Sequence, residues 1–207
     1  MLKKTKIAVL VSGGGTNLQA LIDAQKSGVL HSGEIVLVLS NNDGAYALKR
    51  AEDAGIATET VTKKSCADKK EFEKRITDCL EKHGAELIIL AGFMCILSAD
   101  FVSKYEKRII NVHPSLIPSF CGEGYYGLRV HEAALNYGVK VTGATVHFVN
   151  EVADGGEIIM QKAVKIADSD TPESLQRRVM EQAEWILLPK AAELISEKIS
   201  IEKEKNA

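Results

Sequence analysis

The stretch I-A-V-L-V-S-G-G-G-T-N, residues 7–17, decides the fold. Five consecutive apolar residues, Ile7–Val11, suit a strand buried on both faces of a parallel sheet. Three glycines follow, and then Leu18, Leu21 and Ile22 open a helical period. Thr16, with Gln19 three residues on, has the pattern of a capping box. Strand, glycine-rich turn and helix start together present backbone N–H groups and a positive dipole end to an anion. A dinucleotide site asks for G-x-G-x-x-G and an acid closing the second strand. Here Gly13 and Gly15 fit, but Leu18 holds the third position and the second strand (Ile35–Ser40) ends in Asn41-Asn42. A nucleotide P-loop would need G-K-[ST], which is absent. A single phosphate of a smaller substrate fits, and so does a plain tight turn that needs glycines.

The alternation continues outward from there. Helices are expected at Ala45–Ala54 and Asp68–His83, each stopped by a glycine, with a short strand near Thr58–Val61. Glu86–Leu90 is another buried strand. It leaves into the apolar loop A-G-F-M-C-I-L (residues 91–97), before a helix opened by Ser98. Strands alternating with helices at this spacing predict a doubly wound α/β fold, with a mostly parallel sheet and helices on both faces. Further on, a helix at Val130–Asn136, a strand at Lys140–Val149 and a returning strand at Glu157–Val164 predict an antiparallel carboxyl-terminal pair. Thr171 should cap a last helix that starts with Pro172, and Pro189 should kink or interrupt it. The whole chain, 1–207, reads as one domain with a charged tail at 197–207 whose end is expected to fray.

Composition narrows the function. A net charge of −2 gives no basic footprint for nucleic acid. The four cysteines are scattered with no C-x-x-C pair, which fits a reducing compartment, and no apolar run is long enough for a secretory signal or membrane helix. A cytoplasmic protein, monomer or homodimer, is expected. No His, Cys or carboxylate cluster has metal-ligand spacing, so no metal is implied.

The chemistry gathers in R-I-I-N-V-H-P-S-L-I-P, residues 108–118. Asn111 and His113 are two apart on an extended backbone and point to one side; Pro114 keeps His113 extended. They stand at a strand's carboxyl end, where open α/β sheets bind ligands. Asp154, in A-D-G-G, is either turn chemistry or a carboxylate that lifts the pKa of His113. In the second case an amide donor and an imidazolium serve a developing oxyanion. With no Ser or Cys nucleophile beside a base, one substrate attacks the other directly, as in acyl or formyl transfer.

S-G-G-G-T-N, A-G-F-M-C-I-L, I-I-N-V-H-P-S-L-I-P, G-A-T-V-H-F-V and A-D-G-G, in this order, resemble the folate-dependent formyltransferases over roughly residues 6–195. The short chain and the glycine loop resemble the branch acting on glycinamide ribonucleotide. The resemblance implies 10-formyltetrahydrofolate as co-substrate, its formyl group passing to the ribonucleotide's amine in de novo purine biosynthesis. Neither nucleic acid nor membrane is a partner. It implies Asn111, His113 and Asp154 as the catalytic trio. Gly15, Thr16 and Asn17 would hold the phosphate and ribose, and Glu184 would lie near the amine or ribose. Met94, Cys95, Ile96 and Leu97 would line the folate pocket, and Lys69 would contact the folate.

The chain departs from that pattern at Cys95, where arginine is common, at Trp185, where histidine is common, and in the glycine- and tyrosine-rich 119–127 loop. His147 is expected to support the site, and His31, His83 and His131 to be surface or helix-end residues. Another folate-dependent formyltransferase and a non-catalytic nucleotide-binding domain are the alternatives.

Overall fold

A computed structural model describes residues 3–205; the last two residues of the expected tail lie outside them. The chain divides into two compact units. One holds the residues up to Leu97 with those from Ala192 on, and the other is Ser98–Ala191.

In the first unit the strands run in the order β3-β2-β1-β4, all pairs parallel. They are β1 (Thr5–Val11), β2 (Gly33–Ser40), β3 (Ala57–Thr60) and β4 (Leu87–Leu90). Ile7–Val11 are wholly buried. A strand flanked on both edges and covered on both faces has no polar side to show, which is why its run is uninterrupted. The outermost strand β3 is only half buried and reads T-E-T, the polar habit of an edge.

The helices of this unit are α1 (Thr16–Ser27), α2 (Tyr46–Asp53) and α3 (Lys69–His83). The Asp68 carboxylate caps α3 by accepting the Glu71 N–H at 2.7 Å, and Gly84 ends it in the left-handed region. The expected capping box at Thr16 does not form. Gly15, at φ +72°, occupies the cap position, and Thr16 is already the first helical residue.

The second unit orders its strands β5-β6-β7: β5 (Ile109–His113), β6 (Val141–Phe148) and β7 (Ile158–Lys165). Both of its pairings are antiparallel. Its helices are α4 (Ala99–Lys104), capped by Ser98, α5 (Leu128–Tyr137) and α6 (Pro172–Val179). Thr171 and Ser174 close a capping box on α6, with proline at its first position. The α/β class, the parallel strands and the antiparallel pair toward the carboxyl terminus stand as the residues implied.

Helix α7 (Trp185–Lys205) is not interrupted at Pro189, which lies inside it. The irregularity falls just upstream, where Met180–Glu184 form one wide π turn. Proline removes the bond to the carbonyl four residues back, and here the helix absorbs that loss without breaking. Within the described residues the tail is helical to Lys205, and Ser200 Oγ donates to the Lys3 carbonyl at 3.0 Å. No described helix is long and apolar enough to cross a membrane.

Candidate active site

Strand β5 delivers Asn111 and His113, and its neighbour β6 delivers His147 opposite Asn111. The turn after β6 brings Asp154 to them. Asp154 sits at φ +54°, a conformation aspartate tolerates better than most residues. The following Gly156 is obligatory for space: a Cβ there would lie 1.7 Å from the Phe148 carbonyl.

These groups form one network. His113 Nδ1 lies 3.3 Å from Asp154 Oδ2, and His147 Nε2 lies 3.5 Å from Asp154 Oδ1. Asn111 Nδ2 is 3.2 Å from His147 Nε2. His147 Nδ1 is 2.8 Å from the Phe148 carbonyl, which only accepts, so Nδ1 donates to it. Nε2 faces the Asn111 amide and the Asp154 carboxylate together.

The 119–127 loop closes the other side. His113 Nε2 donates to the Phe120 carbonyl at 2.9 Å, and the Gly122 N–H donates to Asp154 Oδ2 at 2.9 Å. Phe120, like Asp154, has positive φ. Sequence reasoning left this loop open; its clustered glycines were the only signal.

Electrostatically, burial dominates. It pulls the His113 imidazolium below the ordinary histidine pKa, although Asp154 and the Phe120 carbonyl pull upward. The expected rise from Asp154 is therefore outweighed, because a ring 4% exposed loses most of its hydration. Burial would also raise Asp154, but His147, His113 and the Gly122 N–H leave its carboxyl below the usual aspartate range. Both ring nitrogens of His113 face acceptors, an arrangement that only the imidazolium satisfies fully. The ring is thus placed for a proton that burial resists until further negative charge appears.

His131 corrects another expectation. It is not a surface residue but 1% exposed, on α5. Burial first, and then the charge of His113, push its pKa down to about 4. His31 and His83 do lie where expected, His31 exposed and His83 ending α3.

The remaining candidates in the second unit reduce to Glu184. It closes the π turn and is buried, 6% exposed, rather than a solvated helix residue. In the first unit the glycine loop is tied at successive carbonyls. Gly13 O accepts from the Ala47 N–H at 3.0 Å, Gly14 O from Arg50 Nε at 2.8 Å, and Gly15 O from the Gln19 N–H at 2.9 Å. Gly15 is needed twice over: its φ is positive, and a Cβ would lie 2.6 Å from that of Ala47. Thr16 and Asn17 follow as the first turn of α1.

Residues 94–97 are anchored beside this loop. The Met94 N–H donates to Ser12 Oγ at 2.7 Å, and Asn41 Nδ2 donates to Cys95 Sγ at 2.8 Å. Met94 and Ile96 are exposed, 55% and 69%, while Leu97 is buried. Lys69, the first residue of α3, is exposed and lies 3.8 Å from Glu73.

Comparison with known proteins gives the family. The family model described as "Formyl transferase" matches residues 5–191. The trifunctional purine biosynthetic protein adenosine-3 of Gallus gallus is 48% identical over 193 residues, 93% of this chain but 18% of that protein. The chain therefore spans under a fifth of such relatives. The chloroplastic phosphoribosylglycinamide formyltransferase of Arabidopsis thaliana is 33% identical, over 95% of this chain and 68% of that protein. Among solved structures, glycinamide ribonucleotide transformylase 1 from Symbiobacterium toebii superposes with a TM-score of 0.88. It is 37% identical, with 94% of this chain and 89% of that one covered. Phosphoribosylglycinamide formyltransferase from Brucella melitensis gives 0.86 at 41% identity, covering 94% and 96%. With its strand order, its Asn111–His147–Asp154–His113 network and a match over nearly its whole length, this chain belongs to the formyl transferase family.

Proposed function

We propose that this protein is an enzyme that transfers the formyl group of 10-formyltetrahydrofolate to the amine of glycinamide ribonucleotide, in de novo purine biosynthesis. Both compact units are read as parts of one formyltransferase domain, working in the cytoplasm. The observation that carries the reading is the position of the Phe120 carbonyl. It is an sp² oxygen held 2.9 Å from His113 Nε2, and it marks where a formyl oxygen would accept the same hydrogen.

In the proposed reaction the formyl oxygen replaces that carbonyl. The amine attacks the formyl carbon, and the C=O π pair moves onto oxygen. The Asn111 amide N–H and the Nε2–H of His113 receive the charge. As it develops, it supplies what burial denies, and with Asp154 at Nδ1 it draws the ring toward the imidazolium. Collapse re-forms the C=O bond and expels N10, and the proton lost by the amine returns to N10 through His113 or a water ordered by Asp154. Burial and Asp154 raise the Cys121 thiol above its ordinary range, so it is a poor thiolate source.

In this reading Gly15, Thr16 and Asn17 hold the ribonucleotide's phosphate and ribose, and Glu184 lies near its amine or ribose. The peptide edge of Met94–Leu97 lines the folate pocket, with Lys69 reaching the folate.

The test is formyl transfer by purified protein supplied with both substrates and no added metal, beside the His113→Ala variant. The variant should lose about 10²–10⁴ in turnover and keep its ribonucleotide affinity. Near-normal turnover in that variant overturns the assignment.

A further inference from the structure

Arg50, on α2, belongs to no motif in the sequence, yet it makes the most connected contact with the glycine loop. Its Nε donates to the Gly14 carbonyl at 2.8 Å and its Nη1 to Gln19 Oε1 at 2.9 Å. Gln19 Nε2 in turn donates to Asp23 Oδ1 at 2.9 Å along α1. The guanidinium lies over the Tyr46 ring, 5.0 Å from its centre, which fixes its plane. One side chain thus clamps the loop and the first turn of the helix that follows it.

The direction of the clamp gives it meaning. In a trans peptide the C=O and the next N–H point opposite ways. Gly13, Gly14 and Gly15 each turn their carbonyl to a donor from α1 or α2. The N–H groups of Gly14, Gly15 and Thr16 are therefore aimed away from those donors, as a set. Of the donors, only Arg50 Nε belongs to a side chain. A charged donor on the Gly14 oxygen also polarises the Gly14–Gly15 peptide and strengthens the Gly15 N–H as a donor.

We propose that Arg50 is a positioning residue for the substrate's phosphate. It acts through the Gly14–Gly15 peptide from behind the loop and does not contact the anion itself. The inference rests on the assignment of residues 15–17 to the ribonucleotide phosphate. The fork is what matters, because one planar group donates to the Gly14 carbonyl and to Gln19 at once while lying over the Tyr46 ring, and an ammonium has no such fixed fork.

The test compares Arg50→Lys and Arg50→Gln in steady-state formyl transfer. Folate-analogue affinity is measured by titration calorimetry and thermal midpoint alongside. Both variants should raise KM for glycinamide ribonucleotide about tenfold or more. The kcat at saturating ribonucleotide should stay within about twofold, and folate affinity should be unchanged. A wild-type KM in Arg50→Lys would mean that charge alone suffices and would overturn the proposal. A fall in kcat, folate affinity and thermal midpoint together would reduce Arg50 to a structural role, and overturns it equally. If both variants fail to fold, Gln19→Ala removes only the Nη1 arm and should raise the same KM to a smaller extent; an unchanged KM counts against the clamp.

Failure of the functional reading is distinguishable, since wild-type protein would then transfer no formyl group. The clamp is in that case read from inorganic phosphate, whose titration should shift the Gly15 and Thr16 amide resonances in wild type and not in Arg50→Lys. Equal shifts in both would overturn it.

Discussion

His147 shows how much of a site resides in a residue that touches no substrate in the proposed reaction. Its ring is held at Nδ1 by the Phe148 carbonyl, and its Nε2 stands within reach of both the Asn111 amide and the Asp154 carboxylate. His147→Phe keeps a flat ring but loses these contacts, so Asn111 can rotate. One hydrogen bond is worth about 1 kcal/mol, and a factor of ten in rate about 1.4. The expected outcome is a kcat about fivefold lower at unchanged KM for both substrates, read from steady-state kinetics.

His131 belongs to the same scale. Its folded-state pKa of about 4 lies below the ordinary 6.5, so as pH falls from 6.5 the unfolded chain takes up the proton first. Folded-state stability is unaffected above pH 6.5 and is lost progressively down to about pH 4, on the order of 3 kcal/mol from this residue. His131→Leu should flatten the fall in thermal midpoint over that interval; an unchanged slope would show that other groups carry it. The sequence hid this residue because the stripe of α5 buries Val130, His131 and Ala134 alike, and a lone histidine in a short helix carries no sign of which face it is on.

At the level of elements, what could be read depended on whether the signal was local. The buried strands announced themselves because covering both faces forces an apolar run, and Ser98, Asp68 and Thr171 declared their helices by side-chain capping. The Thr16 box failed for an equally physical reason. A glycine that can adopt φ +72° ends the turn one residue early, and backbone geometry then displaces the side-chain cap. The A-D-G-G turn was legible as chemistry but not as packing. Its second glycine faces the β6 backbone, and Gly156→Ala would drive a methyl into the Phe148 carbonyl. The turn must then move, and Asp154 with it. The variant should lose about 3 kcal/mol by denaturant unfolding. It should also lose more activity than that destabilisation explains, since the His113–Asp154 contact opens; wild-type turnover in a folded variant would uncouple the two.

Over the whole molecule, the residues hardest to place from sequence are those whose partners are farthest along the chain. The segment after Leu194 reads I-S-E-K-I-S-I-E-K-E-K, charged enough to suggest a frayed end. Apart from the exposed Ile201, its apolar and small residues nevertheless fall at positions 195, 196, 199 and 200, spaced three and four apart on one face of α7. Ile195 and Ile199 are buried. Thr5 Oγ1 donates to the Ser196 carbonyl at 2.8 Å and lies 3.0 Å from Ser200 Oγ. Lys203 Nζ reaches Glu86 at 2.9 Å, and Glu86 accepts the Lys6 N–H at 2.9 Å. The end of the chain is therefore a lid on the first strand, about 190 residues away in sequence. Each buried isoleucine is worth about 1.5–3 kcal/mol, so the pair alone approaches the lower end of the 5–15 kcal/mol that holds a domain folded. Removing residues 195–207 should accordingly lower the thermal midpoint by about 10 °C or more and speed amide exchange in β1. A truncated protein with wild-type exchange at Ile7–Val11 would mean that the lid closes nothing.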